Sequence, residues 1–367
     1  MGMGLLQQFK NDIDRSLTQE PTGFVKPEDV IPSYNSTTRK VTLTGDPRAL
    51  WRGAPIEPLI VGWESAAHAD TLGPWFLYYD GTSFLWQQTA WEFDKVMIAF
   101  VNYGATDKFG IREPHGLMQY QSHRADHKTV GTYRDSGGDV SGYVLNSTTA
   151  ADRRPLISAC TIWDEDVPTT NAALNTESYT RMWLSGATGA INFAKSSADI
   201  IALSTNQPFV NTWNGSAWVQ TLVSNNNCCC VWLFEVPVTA DSGSQEYRHV
   251  WLQGQTQGTL ASQQALTTND LSLGEWGNLI PEFVFIQKVI IRYTSGNWVL
   301  AETSPITGSR AVQVSSPAGF FLSSVSTDAT LTGDGTTTNP LGLSGLHPNG
   351  LDLATGGDTV LDSLYFG

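Results

Sequence analysis

Three of the six histidines, His115, His123 and His127, fall within thirteen residues, with Glu113 and Asp126 beside them. Imidazole nitrogens and carboxylate oxygens together form a donor set for divalent metals. His123 and His127 stand four apart, so on a helix they would share one face. The residues between them, Arg124-Ala125-Asp126, lack the glutamate that the H-E-x-x-H metalloprotease pattern places after its first histidine. The local text reads as strand or loop rather than helix. Three settings follow: a polar hydrogen-bonding network at a turn or subunit contact, a structural metal site within one chain or shared between chains, or a catalytic metal. The spacing alone assigns no metal, and no cofactor is expected.

A second acidic group, Asp164-Glu165-Asp166, follows Trp163. Oxygen ligands this dense suit Ca²⁺, but neither the spacing nor the glycine of an EF-hand loop is present. On a strand Glu165 would face away from its two neighbours. The expected setting is a surface turn pairing with Arg153 or Arg154. Cleavage of a polysaccharide would need two carboxylates across a groove, for which Glu92, Asp94 and Glu113 are candidates. There are no short repeated rungs of a β-helix, no G-x-S-x-G elbow, no P-loop and no dinucleotide fingerprint. The expectation is a protein that is not an enzyme.

The elements that must hold these residues are mostly strands. Trp75-Phe76-Leu77-Tyr78-Tyr79 and Thr82-Ser83-Phe84-Leu85-Trp86 flank Asp80-Gly81, which reads as a hairpin with a primed turn. Phe209 to Trp213 and Ser216 to Val219 flank Asn214-Gly215 in the same way. If Trp213 and Trp218 are exposed there, they form a surface on which a glycan can stack. Residues 96–103 and 283–293 read as further strands. Cys228-Cys229-Cys230 runs into Val231-Trp232-Leu233-Phe234, the pattern of a buried strand with thiols as small apolar side chains. A cross-link between symmetry-related chains is the alternative. No C-x-x-C pair supports a zinc knuckle, and no βαβ alternation appears. The fold class is mainly β: a β-sandwich or jelly-roll-like body over 41–310.

Two extensions flank that body. In residues 1–40, Leu5, Leu6, Phe9, Ile13 and Leu17 form one helical stripe. A lone helix of this length is marginal in water, so the stripe is read as an assembly and attachment surface. A Pro-bearing linker, 27–38, follows. Residues 311–367 lose nearly all charge and turn to Ser, Thr, Gly and Asp. A segment so polar buries little within one chain, so it interlocks with sister chains or forms a tether. Thr330-Leu331-Thr332-Gly333-Asp334 repeats Thr42-Leu43-Thr44-Gly45-Asp46, one strand-and-turn device used twice.

Bulk properties narrow the function. The 367 residues are 41% hydrophobic and 15% charged, enough apolar surface to bury a core. The net charge is −14, with no cluster of Lys and Arg, which argues against nucleic acid as a partner. No basic-then-apolar leader opens the chain and no stretch approaches a membrane span, so neither export nor membrane insertion is expected.

The run VSTDATLTGDGTTTNPLGL resembles a segment that recurs in bacteriophage fibre and tail-appendage proteins. The stretches WFLYYDGTSFLW, VMIAFVNYGATDKFGIREPHGLM, HRADHKTVGTYRDSGG, TIWDEDV, HVWLQGQ and EFVFIQKVIIRY are similar to a domain of tail-fibre and structural proteins of tailed phages. The resemblance implies a virion component assembled in the host cytoplasm: a tail fibre or baseplate-associated appendage, homotrimeric, that contacts other tail proteins and a host glycan or receptor. It carries no catalytic residues. The alternatives are a polysaccharide-degrading tailspike and a capsid or portal-proximal decoration protein.

Overall fold

The computed structural model describes residues 21–57, 59–90, 93–175 and 178–306, together with the short strands Leu331–Thr332 and Gly342–Leu343. Residues 1–317 and 318–367 form two compact units. The first is mainly β. In the second, Leu331 pairs with Leu343 and Thr332 with Gly342 in an antiparallel bridge. The helical stripe Leu5, Leu6, Phe9, Ile13, Leu17 and most of 311–367 lie outside the described residues.

The Asp-Gly hairpin forms as expected, with strands Gly73–Tyr79 and Phe84–Gln87 in register at Tyr79 and Phe84. Gly81 carries the left-handed backbone (φ +99°) at the first of the two central positions, as a type II′ turn needs. Asp80 closes the turn with its side chain, Oδ1 accepting from the amide of Ser83 at 2.9 Å. Asn214 and Gly215 repeat the device between Gln207–Trp213 and Trp218–Leu222, with Gly215 at φ +98°. The hairpin joins a four-stranded antiparallel sheet in the order Lys108–Arg112, Val96–Tyr103, Gly73–Tyr79, Phe84–Gln87. Every residue of Val96–Tyr103 is buried.

A larger seven-stranded sheet runs Ala190–Ser197, Tyr179–Ser185, His249–Leu252, Cys228–Glu235, Val284–Thr294, Asn297–Pro305, with Gln257–Gly258 also on the Cys228 strand. Tyr179–Ser185 and His249–Leu252 pair in parallel, and the other pairings are antiparallel. Alternation sorts the cysteines: Cys228 and Cys230 join one core with Trp232 and Phe234, while Cys229 joins another with Val231 and Leu233. All four cysteines are buried and unpaired, so none offers the surface thiol that a cross-link between chains requires.

Three cores separate the layers. Phe76, Phe100, Phe109 and Ile111 of the four-stranded sheet meet one face of the large sheet. The opposite face of the large sheet packs on Ile157, Ile162, Ile200 and Val210. The far face of the four-stranded sheet, through Trp75, Leu77, Ile98 and Val101, packs on Val30, Tyr34, Val41 and Leu43. That last core corrects the reading of 27–38 as a linker. Val30–Asn35 is a strand paired with Lys40–Gly45, and Val30, Pro32 and Tyr34 face inward. Pro32 suggests a linker because proline is excluded from central strands, but this strand is an edge, where proline is tolerated.

His68 sits in this third core, 2% exposed, inside a box of Trp75, Trp86 and Tyr103. Its Nδ1 lies 2.8 Å from the Ala69 carbonyl and its Nε2 is 2.9 Å from the Tyr34 hydroxyl. A neutral ring, donating to Ala69 and accepting from Tyr34, satisfies both. Burial holds its pKa below the ordinary histidine value. Unfolded chains therefore bind this proton first, and the contribution of His68 to stability, present above pH ~6.5, is lost as pH falls through that value. Thermal midpoints measured from pH 7.5 to 5.5 are expected to fall, and His68→Gln should flatten part of that slope. An unchanged slope in the variant would contradict the assignment.

Candidate metal centre

Four separate segments bring the His/carboxylate groups together. The Lys108–Arg112 strand delivers Glu113 and His115 just past its end. The residues after them form a helix, Tyr120–Thr129, and not the expected strand or loop. Its polar text misleads because the buried face carries histidines in place of aliphatic residues. On that face His123 and His127 stand one turn apart, with Phe93 against both rings at 5.3 and 5.1 Å. The third segment is the turn between Cys160–Asp164 and Val167–Asn171, which holds Asp164, Glu165 and Asp166. The fourth is the 3₁₀ segment Gly274–Glu282, which ends at Glu282.

The acidic triplet is not the surface turn expected from the sequence. Asp164 and Glu165 are buried, and Arg153 instead stacks on Trp298 while Arg154 lies 3.9 Å from Asp199. Strict alternation fails because Asp164 pairs with Val167, leaving Glu165 and Asp166 as a two-residue loop. Glu165 takes a left-handed backbone (φ +52°), unusual for a residue with a Cβ, which rotates its side chain inward. Such strain clusters at functional sites.

The second contacts fix the orientation of the first. His115 Nδ1 is 3.0 Å from Asp166 Oδ1, and Asp166 Oδ2 accepts from the Gly116 amide at 2.7 Å. A proton on Nδ1 shared with Asp166 directs Nε2 inward, the arrangement by which outer carboxylates orient ligating histidines. That Nε2 is 3.8 Å from Glu113 Oε2 and 3.9 Å from Asp164 Oδ2. Asp164 is held by its other oxygen, which accepts from Thr132 Oγ1 at 3.0 Å. Beside this triad, His123 Nε2 is 3.8 Å from Glu165 Oε2, and His127 lies 2.9 Å from Glu165 Oε1 and 3.4 Å from Glu282 Oε1.

The inward-facing atoms have no hydrogen-bond partner. These are both oxygens of Glu113, His115 Nε2, His123 Nε2, Asp164 Oδ2 and both oxygens of Glu165. The 2.9 Å approach of His127 Nδ1 to Glu165 is not aligned as a hydrogen bond. Arg112, adjacent in sequence, is committed to the carbonyls of Pro27, Glu28, Val30 and Pro168. Burial pushes Glu113 up to about 7, with the neighbouring His115 opposing it and the Asp164 charge adding to it. Burial likewise raises Asp164 and Glu282. For His115 burial acts downward, but Asp166, Glu113, Glu165 and Asp164 outweigh it and raise the pKa. Burial, then His115 and His127, depress His123 to about 2. A buried set so rich in unpaired acceptors is a place for cations. Two triads, Glu113–His115–Asp164 and His115–His123–Glu165, have ligand atoms within 4.8 Å of one another.

The sequence thus pointed to His115, His123 and His127 and missed Asp164, Glu165 and Glu282 as their partners. For the polysaccharide-cleavage candidates, Glu113 is fully buried here, Asp94 lies 3.7 Å from Arg52, and Glu92 lies outside the described residues. At the Asn-Gly hairpin Trp213 is 47% exposed but Trp218 only 8%, so a single indole faces solvent there. None of the described helices is long and apolar enough to cross a membrane. Compared with protein-family models, curated proteins and solved structures, the chain matches none.

Proposed function

We propose that the chain is a structural subunit of a bacteriophage particle, in a tail fibre or baseplate-associated appendage. It acts in assembly and host attachment by binding rather than by catalysis. The observation that carries the reading is where the phage-like stretches fall. WFLYYDGTSFLW is the hairpin of the four-stranded sheet, and VMIAFVNY is its buried strand. HVWLQGQ and EFVFIQKVIIRY run along neighbouring parts of the large sheet. Layers of sheet sharing apolar cores accord with a β-sandwich or jelly-roll-like body. The 311–367 segment acts as the stem that joins three copies, and Trp213 is the residue on which a host glycan would stack.

Two measurements test this. Light scattering should give a trimer for the full chain and a monomer after truncation beyond Arg310. Antibody labelling should decorate the tail of the particle. A full chain that stays monomeric at micromolar concentration, or label confined to the head, would overturn it.

A further inference from the structure

The geometry points to a divalent transition-metal ion held inside the body by Glu113, His115 Nε2 and Asp164, with His123 and Glu165 beside it. The inference does not depend on the phage reading. Acidic groups alone would not carry it. What carries it is that Glu113 is 0% exposed with neither oxygen bonded, and that His115 and Asp164 each use one polar atom outward and turn the other, unpartnered, to the same point. Atoms spaced 3.8 and 3.9 Å from His115 Nε2, and lying within 4.8 Å of each other, leave a position roughly 2.2–2.5 Å from all three. Metal–ligand bonds to nitrogen and oxygen run ~2.0–2.2 Å, so a small inward adjustment completes the shell.

The donor set chooses the class of ion. One imidazole with two carboxylates, and a second imidazole adjacent, suits Zn²⁺, Mn²⁺ or Fe²⁺ better than the all-oxygen shells of Ca²⁺ and Mg²⁺. Every ligand is buried, and three segments supply them, with the acidic turn about 40 residues further along the chain than the helix. An ion here ties the edge of the four-stranded sheet, the Tyr120–Thr129 helix and the acidic turn into one unit. Its role is structural, in the way closed metal sites stabilise small folds. The competing arrangement is a set of neutral acids sharing protons, which needs hydrogen bonds among oxygens that show none.

The test uses the full chain, without a histidine tag. Elemental analysis of protein purified without chelator should find about one tightly held first-row ion per chain. After chelation, Zn²⁺ or Mn²⁺ should bind calorimetrically and raise the thermal midpoint. Glu113→Gln should remove one equivalent, and an additional ion held by His123 and Glu165 would leave that loss at one. Asp166→Asn, at a partly exposed residue that only orients His115, should weaken Zn²⁺ binding ~10–100-fold and keeps the test valid if Glu113→Gln fails to fold. The inference is overturned if chelated wild-type protein, folded by circular dichroism, takes up neither ion with any change in midpoint. It is equally overturned if folded Glu113→Gln binds Zn²⁺ as tightly as wild type.

Discussion

Trp298→Ala is expected to lower the free energy of unfolding by about 3–5 kcal/mol, the range for deleting a large buried aromatic side chain. Trp298 is fully buried in the core behind the large sheet, opposite Tyr293 in the pairing of Val284–Thr294 with Asn297–Pro305. Its ring also carries the Arg153 guanidinium 4.2 Å from the centroid, and Arg153 donates to the Trp298 carbonyl. Truncation leaves a cavity and strips the cation–π contact from an arginine only 6% exposed. Urea titration should show a lower midpoint, while Trp298→Phe should recover much of the loss. A change below about 1 kcal/mol for the alanine variant would show that the sheet collapses freely onto the gap.

Glu235→Ala should have a similar cost, about 3–5 kcal/mol, for a different reason. Glu235 is fully buried at the end of the central strand. Its Oε1 lies 2.7 Å from His249 Nδ1, its Oε2 accepts from Asn171 Nδ2 at 2.7 Å, and the other ring nitrogen of His249 is 2.7 Å from the Ala172 carbonyl. Removing the carboxylate strands His249 Nδ1, while Asn171 Nδ2 keeps the Val236 and Arg248 carbonyls at 3.1 and 3.3 Å, and an orphaned buried group bears its full desolvation cost. Glu235→Gln, which keeps an acceptor, should cost less. Adding His249→Phe to Glu235→Ala should cost less than the sum of the two single changes, because they share one network. Strict additivity would contradict the coupling.

Strand-level features were legible in the sequence because their signals are local. The Asp-Gly and Asn-Gly hairpins, the alternation of Cys228, Cys229 and Cys230 between faces, and the apolar run 96–103 each follow from neighbours along the chain. The centre was half legible. His123 and His127 show the i, i+4 spacing, yet the helix carrying them has few apolar residues to announce it. Glu282 is 155 residues beyond His127, and only the fold places them together. Strand alternation sets Glu165 on the face opposite Asp164 and Asp166, but it assumes a continuous strand, and the two-residue loop breaks that assumption. Pro32 misled because an edge strand tolerates what a central one excludes.

The central position of Cys228–Glu235 has a consequence during synthesis. The four-stranded sheet is built from segments close in sequence, and its hairpins can close as they emerge. The Cys228 strand, apolar on both faces, has its partners His249–Leu252 and Val284–Thr294 on the C-terminal side. From Glu235 the first partner begins 14 residues later and the second 49, counting 235 to 249 and 235 to 284. At ~5–20 residues per second this strand waits about 2–10 s beyond its own synthesis before the sheet can close around it. In that interval at least one edge of this nearly uncharged strand stays bare, of the kind that seeks any other edge. Crowded ribosomes translating the same message make this the moment of greatest hazard for the chain, when a chaperone that shields bare strands has most to protect.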